Sequence, residues 1–110
     1  MTMTTEYARN EPTRETIDGT QGPLVLEFGA PWCGICRAAQ PLIAQALDVF
    51  PQVAHLKIED GSGRRLGRSF KIKLWPSLIF MRDGQEIARL VRPSNAQDIQ
   101  SAIKQITEAG

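Results

Sequence analysis

The feature that most constrains the fold is an apolar run followed, at a pair of cysteines, by a segment with helical periodicity. The run PLVLEFGA, residues 23–30, carries Glu27 as its one polar side chain, which predicts a central strand covered on both faces. The following segment, residues 33–50, repeats apolar side chains at helical spacing: Ile35, Ala38, Ala39, Leu42, Ile43, Ala46, Leu47 and Phe50. Pro41 lies inside this pattern and is expected to kink the helix without ending it.

The rest of the chain predicts a second strand, three helices and a hairpin. A second strand in VAHLKI makes a strand–helix–strand unit, which implies a parallel pair with a crossover helix. The other elements are a short helix in residues 10–19, a short helix in 63–70, a hairpin in 76–91 and a last helix in 94–106. Residues 3–8 are a candidate edge strand. The predicted fold class is α/β, a central mixed β-sheet flanked by helices on both faces.

Capping and turn residues set the expected ends of these elements. Asn10 or Glu11 could cap the first helix, and Gly19 should stop it. Ser94 and Gln97 form a candidate capping box for the last helix. The Asp83-Gly84 dipeptide is a two-residue hairpin turn signal.

Length and charge limit the classes of protein. A chain of 110 residues predicts one domain over residues 1–110. A net charge of +1 gives no global field, so we expect neither nucleic acid nor an anionic membrane as a partner, and we expect a monomer. No apolar run approaches the ~20 residues of a membrane span. The first twelve residues lack the pattern of a secretory signal, so we expect a cytoplasmic protein.

The two cysteines are expected to do chemistry as a redox pair. Cys33 opens the helix, where unpaired amides and the helix dipole stabilise a thiolate. Cys36 lies one turn further on the same face, close enough for a disulfide. Cys33 is then the accessible nucleophile, and Cys36 is the inner thiol that resolves the mixed disulfide.

Two alternatives for the cysteines remain open. Both could simply pack as small apolar groups in the core. A zinc site needs about four ligands, and the chain offers two thiols and His55, so it would require carboxylates or a second chain. We therefore expect no metal site. Because no G-x-G-x-x-G follows a strand, we also expect no bound nicotinamide or flavin cofactor.

Several segments of the chain resemble the thioredoxin family and its W-C-G-P-C site. They are FGAPWCGIC, VAHLKIED and KIKLWPSLIFMRDGQE, with Pro41 five residues after Cys36. The resemblance covers nearly the whole chain and implies a thioredoxin-like fold. It also implies a thiol–disulfide oxidoreductase that reduces protein disulfides through a Cys33/Cys36 dithiol–disulfide cycle. A separate reductase or thiol donor would restore the dithiol.

The same resemblance implies roles for residues around the cysteines. Trp32 shields the rim of the site, and Gly34 permits close approach of a substrate backbone. Pro76 matches the family's cis-proline, and Trp75 before it would offer backbone groups to an extended substrate segment. Glu27 matches the buried acid that accepts the proton of Cys36. An isolated buried carboxylate is costly, so Glu27 should have a partner.

Four positions depart from the family. Ile35 replaces the proline between the cysteines and is a candidate substrate-binding residue. Gly29 stands where many thioredoxins have tryptophan. His55 stands where many have lysine, and we expect it to form a coupled pair with Glu27 beneath Cys36. Arg92 stands where many have glycine beside the substrate groove. With the bulky Trp75 it could narrow the groove, which motivates an alternative function as a docking or chaperone module with weak redox turnover.

A basic run, RRLGRSFKIK, follows the second strand and carries Arg64, Arg65, Arg68, Lys71 and Lys73. It is either a solvated face or a docking surface for an acidic partner. No aromatic residues are interleaved in a way that favours nucleic-acid binding.

Overall fold

A computed structural model describes residues 3–8 and 10–108 of the chain. Helices and strands alternate until a hairpin ends the pattern. In chain order the elements are α1 (Arg14–Asp18), β1 (Pro23–Gly29), α2 (Gly34–Asp48), β2 (Ala54–Glu59), α3 (Arg65–Ser69), β3 (Ser77–Arg82), β4 (Gln85–Val91) and α4 (Ala96–Thr107). The predicted helices and strands are thus present, with shifts at their ends, except for the candidate edge strand in residues 3–8.

The four strands form one mixed sheet in the order β2-β1-β3-β4. β1 pairs in parallel with β2 and antiparallel with β3, and β3 pairs antiparallel with β4. All residues of β1 after Pro23 are buried, which confirms the prediction of a central strand covered on both faces. Asp83 and Gly84 both have positive φ angles, 51° and 81°, as the predicted two-residue turn requires.

Two apolar cores cover the two faces of the sheet, so the predicted helices on both faces are confirmed. One core joins α2 and α4 to side chains such as Val25, Leu78 and Phe80. The other packs Ile17 of α1 and Leu66 of α3, with Phe70 just after it, against Leu26 and Phe28. The site described below lies where β1 ends and α2 begins.

The apolar face of α2 is narrower than the sequence pattern predicted. Its buried side chains are Cys36, Ala39, Ile43, Ala46 and Leu47. Ile35 and Ala38, which share that helical spacing, are exposed. The first turn of α2 projects past the end of β1, where Ile35 lines a surface groove instead.

The predicted caps of α1 and α4 were displaced. Thr13, not Asn10 or Glu11, caps α1 by accepting a hydrogen bond from the Thr16 amide at 3.1 Å. Glu11 instead caps α3, because its carboxylate accepts from the Arg65 and Leu66 amides, each at 3.2 Å. Short polar side chains compete for such amides, and the chain path decides which one reaches them.

At α4, Asn95 is the cap, and its side chain accepts from the Asp98 amide at 2.8 Å. The capping box assigned to Ser94 and Gln97 is therefore wrong by one residue. Gly19 follows α1 as predicted, with its amide bonded to the Glu15 carbonyl at 3.0 Å.

Residues 3–8 run beside β2 but form no full edge strand. Their strand pairing is one parallel bridge between Tyr7 and Lys57, and the Ala8 amide donates to the Lys57 carbonyl at 2.9 Å. The Thr4 amide donates a hydrogen bond to the side chain of His55, with 2.8 Å between Thr4 N and His55 Nδ1. An amide used in this way is lost to a backbone ladder, which explains why the predicted strand does not extend.

Candidate active site

The two cysteines have different environments at the start of α2. Cys33 is half-buried and caps the helix, and its Sγ accepts a hydrogen bond from the Cys36 amide at 3.2 Å. Cys36 is 1% exposed, and both are free thiols. A sulfur at a helix N-terminus that accepts an amide hydrogen bond is well placed to exist as a thiolate.

Cys36 holds its proton at neutral pH. Burial raises the pKa of the Cys36 thiol to about 12, its hydrogen bond to Cys33 adds to the shift, and the negative charge of Glu27 acts in the same direction. One thiol is therefore accessible and the other is buried and protonated, as the predicted division between attacking and resolving cysteine requires.

Beneath the cysteines, Glu27 is fully buried and both of its carboxylate oxygens have partners. Oε1 lies 2.9 Å from His55 Nε2, and Oε2 accepts from Gln40 Nε2 at 2.7 Å. Gln40 Nε2 also donates to the Cys36 carbonyl at 2.8 Å. The structure thus brings Glu27 and His55 together, and Gln40 links them to the first turn of α2.

The hydrogen-bond donors around this network determine which atoms within it donate and which accept. Because the Thr4 amide donates to His55 Nδ1, the proton of the imidazole is on Nε2 and points at Glu27. Because an ammonium can only donate, Lys57 Nζ, 2.9 Å from Gln40 Oε1, holds the Gln40 amide nitrogen towards Glu27. His55 is therefore a neutral donor to Glu27 in this arrangement, rather than a charged partner.

Lys57 is a member of the network that the sequence analysis missed. It is 5% exposed, is the register partner of Glu27 on β2, and lies with its Nζ 4.5 Å from the centre of the Tyr7 ring. The amide of Gln40 stands between this ammonium and the Glu27 carboxylate. The signal was available in VAHLKI, since His55 and Lys57 are two residues apart and must face the same side of a strand.

Gly29 and Tyr7 complete the buried side of the site. A Cβ on Gly29 would lie 2.7 Å from Cys36 Sγ and 3.2 Å from the Tyr7 hydroxyl, so the missing side chain makes room for both groups. Burial raises the pKa of Tyr7, and the negative charges of Glu27 and the cysteines add to this. Tyr7, Cys36 and Lys57 line a cavity of about 450 Å³ on this side.

A second cavity, of about 390 Å³, opens on the Cys33 side. Its lining brings together five of the predicted substrate-binding residues, Trp32, Gly34, Ile35, Trp75 and Arg92. The sixth, Pro76, is buried and does not itself line this cavity, and the Trp75–Pro76 peptide bond is cis, as the resemblance implied. Lys73 and Leu74 also line this groove and were not predicted as site residues.

Aromatic and polar contacts hold the rim of the groove. Trp32 is 68% exposed and meets Trp75 edge to face, with 5.4 Å between ring centroids. The Trp75 indole donates to Asp60 at 3.0 Å. Arg92 Nε donates to the Trp75 carbonyl at 2.8 Å, and the Arg92 amide donates to the Pro76 carbonyl at 2.9 Å.

The other sequence hypotheses fare as follows in the part of the chain that the structure describes. Of the basic run, Lys73 lines the groove, whereas Arg65, Arg68 and Lys71 are exposed elsewhere on the surface. No three His, Cys, Asp or Glu side chains within residues 3–8 and 10–108 come together as a metal site. No helix in the same ranges is long and apolar enough to cross a membrane.

A mixed sheet with helices on both faces, carrying an accessible and a buried cysteine one turn apart, defines a thiol–disulfide oxidoreductase. The thioredoxin family model matches residues 4–105, and the chain belongs to the thioredoxin family. A solved structure of reduced thioredoxin 2 from Pseudomonas aeruginosa PAO1 is 50% identical, has a TM-score of 0.86, and is matched over 98% of this chain and 100% of that one. The thioredoxin-like fold predicted from the sequence is confirmed.

Two curated sequence relatives are also thioredoxins. Thioredoxin Asp f 28 from Aspergillus fumigatus is 27% identical over 88 residues, which cover 80% of this chain and 82% of the relative. Thioredoxin H-type 1 from Nicotiana tabacum is 28% identical over 100 residues, covering 91% and 79%. The predicted activity as a thiol–disulfide oxidoreductase is confirmed, and the docking-module alternative is not favoured. Thioredoxins act on disulfide substrates and are recycled by thioredoxin reductase.

Proposed function

We propose that this chain reduces protein disulfides with Cys33 as the attacking thiolate and Cys36 as the resolving thiol. The observation that carries the proposal is the asymmetry of the pair. Cys33 is half-buried and accepts the Cys36 amide at 3.2 Å, whereas Cys36 is 1% exposed with a pKa raised to about 12.

The cycle balances as two exchanges. The Cys33 thiolate attacks one sulfur of the substrate disulfide, a mixed disulfide forms, and the other substrate sulfur leaves as a thiolate. Cys36 then loses its proton and attacks Cys33 Sγ, which releases the second substrate thiolate and leaves a Cys33–Cys36 disulfide. The substrate gains two electrons, and the protein loses two.

We assign the proton of Cys36 to Glu27 in the second exchange. Glu27 is fully buried, its charge acts on Cys36, and Gln40 bridges its carboxylate and the Cys36 carbonyl. A carboxylate held by two donors is fixed in place as an acceptor, which suits a positioned base.

Substrate binding is assigned to the groove on the Cys33 side. An extended segment would lie against Trp32, Gly34 and Ile35 and pair with backbone groups of Trp75 beside Pro76. The exposure of Trp32 and Ile35, 68% and 46%, supports this because apolar side chains exposed at a groove are available to a partner.

The partners follow from the same scheme. Residues 1–110 would act as one thioredoxin domain and as a monomer. Its substrates would be disulfide-containing proteins, and it would bind no cofactor, nucleic acid or membrane. A separate reductase or thiol donor would restore the Cys33/Cys36 dithiol. The cytoplasm keeps thiols reduced, which suits this cycle, and we assign the chain to that compartment.

Insulin reduction with dithiothreitol as donor tests the proposal. Wild type should precipitate insulin chains well above the dithiothreitol background, Cys33→Ser should fall to that background, and Cys36→Ser should accumulate mixed disulfides. Mass spectrometry of the trapped Cys36→Ser species should show Cys33 joined to an insulin chain. Wild-type reduction no faster than the background would contradict the proposal and favour a docking module.

A further inference from the structure

Arg92 is held in an unusual backbone conformation at the edge of the substrate groove. Its φ angle is 51°, in the left-handed region that residues with a Cβ rarely occupy. Such a conformation is costly and persists where surrounding contacts fix it, which happens most often at functional sites. Here the contacts are the Arg92 amide on the Pro76 carbonyl and Arg92 Nε on the Trp75 carbonyl.

The second contact covers a group that a substrate needs. An extended peptide that pairs with the chain beside Cys33 must use the amide and carbonyl of Trp75, because Pro76 has no N–H. In this structure the Trp75 carbonyl already accepts the Arg92 guanidinium at 2.8 Å. A substrate N–H therefore competes with a charged donor that is already in place.

The charges around the groove determine which substrate can win that competition. Within the described residues, the lining carries two cations, Arg92 and Lys73, and no carboxylate, while the rest is apolar or the Cys33 thiol. A guanidinium that leaves a carbonyl finds its strongest replacement in a carboxylate, which it binds in a two-pronged geometry. A carboxylate beside the substrate disulfide would supply that replacement.

We propose that Arg92 selects disulfides flanked by Asp or Glu. Its guanidinium covers the Trp75 carbonyl until a substrate carboxylate draws it away, and the freed carbonyl then pairs with the substrate backbone. Lys73, the other cation in the lining, adds to the attraction. This specificity rests on the proposed reduction of protein disulfides and deepens it.

Two matched disulfide peptides test the proposal, identical except for Asp or Asn beside the attacked cysteine. Oxidation of the reduced protein is followed by stopped-flow tryptophan fluorescence, since Trp32 and Trp75 flank Cys33 in the groove. We expect wild type to favour the Asp peptide by about three- to fivefold at low salt, the scale of one partly exposed ion pair, and less at high salt.

Variants of Arg92 separate charge from coverage of the carbonyl. Arg92→Gly should lower the Asp/Asn ratio to the smaller preference that Lys73 alone supports, and it should raise the rate with the Asn peptide, because the carbonyl is uncovered and the backbone is relaxed. Arg92→Lys should keep part of the preference. The control Lys104→Gln removes a positive charge at the far end of α4, where Ile106 contacts Arg82 at the end of β3 away from Pro76, and should keep the wild-type ratio.

A binding measurement distinguishes failure of the specificity from failure of the proposed function. Cys33→Ser cannot form the mixed disulfide, and its affinity for the two peptides is measured by fluorescence titration with and without Arg92→Gly. A preference for Asp that falls with Arg92→Gly supports the inference even if wild type fails to turn either peptide over. An Asp/Asn ratio that is unchanged by Arg92→Gly in both rate and affinity overturns it.

Discussion

The two sides of the cysteine pair differ in solvent exposure and in how their polar groups are paired. On the Cys33 side the groove is open: Trp32 and Ile35 are exposed, the Trp75 indole donates to Asp60, and the Arg92 guanidinium donates to a backbone carbonyl. On the Cys36 side, Glu27, His55 and Lys57 are buried, with every link of the network hydrogen-bonded. The open side can be changed to choose partners, whereas the buried side must stay complete because an unpaired polar group there is costly.

Alkylation with iodoacetamide should show the largest difference between the two sides. At pH 7.5 Cys33 should react at least about 1000-fold faster than Cys36, because a thiol with a pKa near 12 has almost no thiolate at that pH. Peptide mapping by mass spectrometry gives both rates. In guanidinium chloride the two rates should converge, and similar rates in the folded protein would contradict the assigned roles.

Glu27→Gln should be the most damaging single change on the buried side. We expect about a hundredfold slower resolution by Cys36, a typical size for a lost general base, with the attack by Cys33 nearly intact. Stopped-flow kinetics of mixed-disulfide formation and decay separates the two steps. If both steps stayed unchanged, Glu27 would be a structural carboxylate only.

The same variant should also be less stable, although a neutral amide alone would cost less to bury than a charge. His55 and Gln40 both donate to Glu27, so the new NH₂ group would face a donor. His55 cannot reverse its tautomer without losing the Thr4 amide bond. We expect a loss of about 1–3 kcal/mol in the free energy of unfolding, measured by urea titration.

Two glycines offer a matched test of crowding on the two sides. Gly29→Ala places a Cβ 2.7 Å from Cys36 Sγ in the buried side and should cost about 1–3 kcal/mol of stability. Gly34→Ala on the groove side meets nothing within 4 Å and should change stability by less than about 0.5 kcal/mol. Equal effects in urea unfolding would show that the two sides are packed alike.

A further modest effect is a loss of stability at alkaline pH. The unfolded Cys36 thiol ionises near pH 8.5, whereas the folded one keeps its proton up to about 12, so above pH 8.5 the unfolded state binds fewer protons and stability falls. From pH 7.5 to 9.5 the loss should be about 1 kcal/mol. Cys36→Ala should remove this part of the pH dependence, and an unchanged dependence would contradict the raised pKa.

Local patterns in the sequence were enough for the elements and the redox pair. The apolar run of β1 and the helical spacing of α2 each reflect which side chains leave water, and that depends on neighbours along the chain. The spacing of Cys33 and Cys36 at a strand–helix junction likewise placed both sulfurs at one helix end. Cap positions failed at Asn10 and Ser94 because several short polar side chains compete for the same amides.

The composition of the buried network and the state of the groove were decided by tertiary structure. Glu27 and His55 could be paired from the sequence, but Lys57, Gln40 and Tyr7 joined them through the register of β1 with β2 and the path of residues 3–8. Arg92 was recognisable as a departure, yet its bond to the Trp75 carbonyl depends on where β4 ends beside β3. Such contacts join residues far apart in sequence, and hydrogen-bond geometry over a few ångströms selects them only after the chain has folded.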